Sequence, residues 1–383
     1  MVVRVDVNPD LLEWARQRSK IDSDALLARF PRLELWMSGV ASPTLKQLES
    51  FAERTHTPLG YLFLDEPPTE AVPIPDFRTV ADESIERPSA DLLDVVYVCQ
   101  SRQEWYRDNQ LRTGEAPIEF VGSTTTQTAT DEVAQDMRSR LGWTSDVRSQ
   151  LGSWNDALTQ LRERAEELGL LVMISGIVGS NTRRKLDPEE FRGFALADPH
   201  APIVFINGSD SKAAQLFTLA HELGHLWLGA TGLDDLAPRS EQTHEQERWC
   251  SQVAAELLVP MDEFRIAFDA NEDMRAQLGS LAERFRVSTQ VILGRIREAG
   301  SLSWDEFLRE LRVEQEKVAD LSTQRGKGGN FYHTKPVQVS KRFARQVVAS
   351  TLEGSTPYTE AFRLLNVKKL STFEGLAEQL GVA

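Results

Sequence analysis

Residues 215–228 read QLFTLAHELGHLWL, and the fold turns on how that stretch is read. Phe217, Leu219, Ala220, Leu223, Leu226 and Leu228 cover most of its circumference at helical pitch, which predicts a core helix. Into that helix the sequence sets His221 and His225, four residues apart, with Glu222 directly after the first histidine. Positions i and i+4 share a helix face, so two imidazoles can grip one ion while the carboxylate projects beside them towards a bound water. A core helix with hydrogen-bonded histidines is the alternative, but two titratable rings in apolar surroundings without a ligand are costly. Gly224 adds to the case: a glycine here costs about 1 kcal/mol of helix stability unless another backbone or a substrate must come close.

A catalytic zinc site needs a third protein ligand, with water in the fourth position. Candidates lie in residues 241–260, EQTHEQERWCSQVAAELLVP. Positions 247, 250, 251, 254, 255 and 258 share one helical face reading Glu, Cys, Ser, Ala, Ala, Leu. Small side chains after a single carboxylate let such a helix lie close to the first and deliver one oxygen, which selects Glu247. Glu245 and His244 are the alternatives, and Glu256 points away from that face as a solvated or structural carboxylate.

Composition sets bounds. A chain of 383 residues with 41% hydrophobic content is long enough for two or three domains with real cores. A net charge of −15 argues against a protein that coats nucleic acid. Two cysteines, Cys99 and Cys250, are too few for a disulfide framework, and the start MVVRVDVNPDLL has no apolar leader core. No apolar run approaches the length of a membrane span. The expectation is a cytoplasmic protein with no membrane partner.

Four regions follow from the pattern. Residues 1–68 read as a small all-α unit, with helices around Leu11, Leu12 and Ala15, over 23–30, and after Ser42-Pro43-Thr44. Residues 69–130 form a connector with one helix over 88–112, bounded by a proline-rich stretch ending in IPDFR and by a polar run, 122–130, that needs no function. Residues 131–300 behave as one α+β unit, in which helices over 131–141 and 155–168 lead to β-like runs at 170–175, 191–196 and 203–207. A short sheet therefore precedes the HExxH helix, and an edge strand beside it can hold a polypeptide in extended form by backbone pairing. Residues 301–383 are helical and locally basic.

The phrases LLEWAR, DALLARF, LWMSG and PTLKQLESFAERT resemble the helix-turn-helix domain of the Xre repressor class. Pro31 and the short span between Ala28 and Trp36 leave little room for a recognition helix. Residues 1–66 also carry eight Lys/Arg against ten Asp/Glu, so DNA binding is disfavoured relative to a relic or homodimerising role. FTLAHELGHLWL, the preceding IVFIN and the following ERWCSQVAAELLVP resemble the ImmA/IrrE family of zinc peptidases. The resemblance implies a zincin-like α+β fold, Zn²⁺ held by His221, His225 and Glu247, and Glu222 as general base. It also implies an Xre-type repressor as protein substrate, cleaved in a stress or mobile-element response. The family usually has Ala-Asn or Ala-Asp where this chain has Cys250-Ser251, so any hydrogen bond from that position to a zinc-bound histidine comes from a shorter side chain. Cys250 reads as a small buried residue, with a thiol that could coordinate zinc in an inhibited state.

The oxyanion donor is not legible; His244, His200 and Arg192 are the candidates. Residues 278–298 have a helix-turn-helix-like order, and the resemblance to the ImmA/IrrE family, whose members carry a similar phrase there, implies a helical pair packed on the peptidase core. The run QRGKGGN, 324–330, reads as a hinge, and beyond it Lys341, Arg342 and Arg345 concentrate positive charge on a solvated face or a docking face for an acidic partner. The second functional reading is a regulatory protein that binds a partner such as a co-encoded toxin, or operator DNA, with a structural or vestigial metal site.

Overall fold

The computed structural model describes residues 4–75, 88–234, 245–321 and 331–382. The chain divides into two compact units, Met1–Pro73 with Asp82–Tyr97, and Ile74–Ala81 with Val98–Ala383.

In the first unit, α1 (Pro9–Arg18), α2 (Ser23–Arg29), α3 (Leu33–Met37) and α4 (Leu45–Thr55) precede a 3-10 turn over Leu59–Phe63. The helix starts are written locally. Asn8 accepts the Asp10 N–H ahead of Pro9, Asp22 accepts that of Ala25, and Thr44 with Gln47 closes a capping box. Leu11, Leu12, Leu26, Leu48, Phe51 and Leu62 form the core. Pro31 disfavours helix at Phe30, which keeps α2 and α3 apart. What remains for α3 is five residues, of which Leu33 and Trp36 are buried.

α5 (Ala90–Thr113) carries the chain into the second unit, where α6 (Thr130–Leu141), α7 (Ser145–Ser149) and α8 (Trp154–Glu167) precede the sheet. The strands are β1 (Leu171–Ser175), β2 (Gly193–Leu196), β3 (Ile203–Asn207) and, after α9 (Lys212–Leu228), β4 (Gly232–Asp234). Their order is β1-β3-β2-β4. β1 runs parallel to β3, and β2 is antiparallel to both β3 and β4, with Gly193 opposite Ile206 on one side and Asp234 on the other. Every residue of β1, β2 and β3 is buried, so both faces of these strands are covered, as their unbroken apolar runs require.

α9 lies against β2 and β3 and packs with α8 and with α10 (Glu245–Leu258). Ser211 caps its start through the Ala214 N–H, and Gly229 ends it in the left-handed conformation at φ 68°. The polar run expected to need no function closes this end: Gly122 N–H donates to Leu226 O at 3.0 Å and Thr124 N–H to Trp227 O at 3.2 Å. A Cβ on Gly229 would lie 2.8 Å from Gly122 Cα, so the two glycines permit the approach. Leu226 O also accepts from the Gly229 N–H at 3.0 Å, so the run adds a second donor there and supplies one to Trp227 O.

α11 (Met261–Ala267), α12 (Met274–Phe285), α13 (Thr289–Glu298) and α14 (Trp304–Leu321) follow. Leu278, Leu281, Phe285, Ile292, Leu293 and Ile296 join the same core as α9, so the helix-turn-helix-like pair packs on that core. α15 (Phe331–Val339) and α16 (Lys341–Leu352) lie against β1, and α17 (Tyr358–Leu365) and α18 (Leu370–Leu380) pack around α16. Lys341 and Arg345 are exposed, whereas Arg342 is half-buried and donates to Tyr106 Oη at 2.9 Å. The 324–330 run lies outside the described residues. Among those described, no helix is long and apolar enough to cross a membrane.

Candidate metal centre

The helical register of α9 brings His221 and His225 to one face, and α10 lays Glu247 against them. His225 Nε2 is 3.1 Å from His221 Nε2, His221 Nε2 is 3.2 Å from Glu247 Oε2, and His225 Nε2 is 3.4 Å from Glu247 Oε1. A tetrahedral zinc site with bonds near 2.0–2.1 Å has ligand-to-ligand edges of about 3.3 Å. The two imidazole nitrogens stand near that spacing from each other and each from one oxygen of the Glu247 carboxylate, His221 from Oε2 and His225 from Oε1. The three residues form the one group of this kind among the described residues. Two imidazole nitrogens 3.1 Å apart can share a single proton between them, and a cation satisfies both lone pairs together with the carboxylate. The donor set, two imidazoles and one carboxylate, fits a divalent zinc ion.

Burial sharpens the chemistry. His221, Glu222 and His225 are 0% exposed and Glu247 is 8% exposed, so charge here is poorly screened by water. Close helix approach makes that possible: a Cβ on Gly224 would lie 3.4 Å from the Cα, Cβ and Sγ of Cys250. Gly224 is where α9 and α10 meet, as its position beside the two histidines suggested. Cys250 faces this contact, is fully buried, and is not in the donor group.

Glu222 points to the sheet. A Cβ on Gly193 would lie 2.9 Å from Glu222 Oε1 and 2.6 Å from Thr218 Cγ2, so the glycine in β2 is what leaves room for the carboxylate. A glycine inside a strand is a sequence signal for such close approach, and Gly193 in FRGFAL carried it unread. α10 also reaches the far side of both imidazoles. Ser251 Oγ lies 3.2 Å from His221 Nδ1, and the Gln246 side-chain amide lies 3.3 Å from His225 Nδ1. The serine contact follows from the face that selected Glu247; the Gln246 contact, one residue before the acid, did not stand out in the sequence.

The other candidates are placed elsewhere. Glu245 is exposed and accepts from Gln127 Nε2 at 3.3 Å. Glu256 is a structural carboxylate paired with the buried Arg295. Arg192, the residue before Gly193, turns its guanidinium to Asp210 at 3.7 Å, ahead of the start of α9. His200 sits in the β2–β3 turn, at the opposite end of β2 from Gly193. His244 lies outside the described residues.

No curated protein sequence matches the chain. Residues 339–379, which span α16 to α18, match the model of a domain of unknown function, DUF8813. Residues 153–297, which hold the sheet, Glu222 and all three clustered donors, match the family model of the IrrE N-terminal-like domain, that of ImmA/IrrE-type metallopeptidases.

Proposed function

We propose that the second unit is a zinc-dependent endopeptidase acting on a specific regulatory protein. The observation that carries this reading is the His221, His225 and Glu247 donor triangle with Glu222 one residue along the same helix. Zinc held there would polarise a scissile carbonyl and acidify water. Glu222, fully buried and pressed under Gly193, takes the proton of the attacking water and passes it to the leaving amine. β4 lies at the sheet edge, where its Leu233 N–H already donates to Pro75 O at 2.9 Å, so a substrate strand would have to pair beyond that contact or displace it.

The substrate class proposed is an Xre-type repressor, whose cleavage would release the genes it silences. The protein incubated with a repressor encoded beside it should cut that repressor, and Glu222→Gln should bind zinc equally and cut nothing. Equal cleavage by both forms sinks the mechanism.

The complete burial of His221, Glu222 and His225 favours a second reading, because structural zinc sites are closed whereas catalytic ones keep an open position. In that reading the protein is a regulatory binder of a co-encoded partner, with the ion holding α9 to α10. The five-residue α3 and the acidic balance of residues 1–66 weigh against operator DNA as the partner. Zinc-dependent partner binding that is insensitive to Glu222→Gln, without cleavage, would select this reading.

A further inference from the structure

An imidazole that ligates a metal through one nitrogen carries its proton on the other, and that proton needs an acceptor. His225 faces the donor triangle with Nε2, so its Nδ1 must present N–H to whatever lies behind it. Gln246 lies there, half-buried at the start of α10 with its amide nitrogen placed 3.3 Å from Nδ1. An amide is two-sided: its oxygen and nitrogen exchange places by a half-turn with almost no change of shape. With the oxygen towards Nδ1, the proton stays on Nδ1 and Nε2 offers its lone pair to an ion. With the nitrogen towards Nδ1, the proton moves to Nε2, where His221 Nε2 at 3.1 Å and Glu247 Oε1 at 3.4 Å accept it. Ser251 is two-sided in the same way towards His221 Nδ1, since a hydroxyl both donates and accepts.

We propose that Gln246 is a positioning residue that sets the metal affinity of His225. The inference rests on the zinc reading of the donor triangle. A carboxylate behind Nδ1 could only accept, and would hold the ligating tautomer. The amide supports the ligating and the non-ligating tautomer alike, so part of the binding free energy is spent selecting one of them. α10 thereby supplies one ligand and a partner for each imidazole, and the sequence order Gln246, Glu247, Ser251 ties all three to one helix.

The test is zinc affinity of the full chain, measured by competition with a chromophoric chelator for wild type, Gln246→Glu and Gln246→Ala. Gln246→Glu should bind zinc about 10-fold more tightly and Gln246→Ala about 10-fold more weakly, the scale on which partners of metal-bound histidines act. Nitrogen-15 shifts of His225 should show the Nδ1–H tautomer enriched in the glutamate variant, a change that a purely structural role would not produce. Affinities of both variants within threefold of wild type, or a weaker Gln246→Glu, overturn the assignment to Gln246. Should Gln246→Ala fail to fold, the near-isosteric glutamate variant decides alone. Wild-type protein that binds no zinc overturns the metal reading and this inference together, whereas zinc binding insensitive to residue 246 removes only the latter.

Discussion

Gly193 on β2 lies against the Glu222 carboxylate on α9: a Cβ built at 193 would stand 2.9 Å from Glu222 Oε1 and 2.9 Å from the Phe205 carbonyl. Thr218 Cγ2 lies closer still, at 2.6 Å, so a methyl at 193 displaces the Thr218 and Glu222 side chains and strains the β2–β3 pairing at Phe205. Gly193→Ala should retain zinc and lose about 100-fold in kcat/KM, equivalent to roughly 2.7 kcal/mol of transition-state stabilisation. Zinc content and cleavage rate measured on the same preparation check this.

Gly224 separates two effects at the α9–α10 contact. Gly224→Ala meets Cys250 at 3.4 Å, an ordinary contact, and gains up to about 1 kcal/mol of helix propensity. It should unfold within a few degrees of wild type with zinc retained. Gly224→Val adds branches that must push α10, and Glu247 with it, away from the histidines; zinc binding should weaken measurably. Thermal unfolding and metal stoichiometry of the pair give the result.

Arg295 is 3% exposed, donates through Nε to Val259 O at 2.8 Å, and pairs with Glu256. Because α10 carries both Glu256 and Glu247, this pair anchors the metal-bearing helix to α13. Arg295→Met leaves a largely buried carboxylate with the Met261 N–H but without its ion-pair partner and should destabilise the protein by about 3 kcal/mol. Chemical denaturation of the two proteins measures it, and an unchanged midpoint would contradict the anchoring role.

Lys335, 1% exposed on α15, donates to Ser180 Oγ at 3.0 Å. Burial, reinforced by the Arg102 charge, pushes its ammonium down to about 8 from 10.5. Between these values the unfolded chain binds more protons than the folded one, so stability rises with pH from about 8 to 10.5. Below 8 the full penalty is present. Lys335→Met should therefore stabilise the protein at pH 7 by on the order of 2 kcal/mol, with the gain shrinking as pH approaches 10. Unfolding midpoints at the two pH values test the sign.

The donor triangle was legible because each part has a local signature: two histidines at helical spacing inside an apolar helix, and a small-residue face behind Glu247. The strands β1, β2 and β3 were legible as unbroken apolar runs. β4 was not, because Gly232, Leu233 and Asp234 are too few to show a period, and they become a strand only by pairing with β2. The role of Gly122 was hidden for a similar reason. Its partner, Leu226 O, lies over a hundred residues away, and nothing in a polar run announces which helix end it will satisfy. Gln246 was overlooked because a glutamine beside an acid on a helix start reads as surface; only the turn of α10 reveals that it reaches His225 Nδ1.

The central claim is that His221, His225 and Glu247 hold zinc for a peptide-bond hydrolysis in which Glu222 is the base. Its most direct test is mass-spectrometric mapping of new protein N-termini after a cell extract is treated with wild type or with Glu222→Gln, each assayed for zinc. The account predicts one zinc per chain in both proteins, and a small set of new N-termini produced by wild type alone. Identical N-terminal profiles from two zinc-loaded proteins would contradict it.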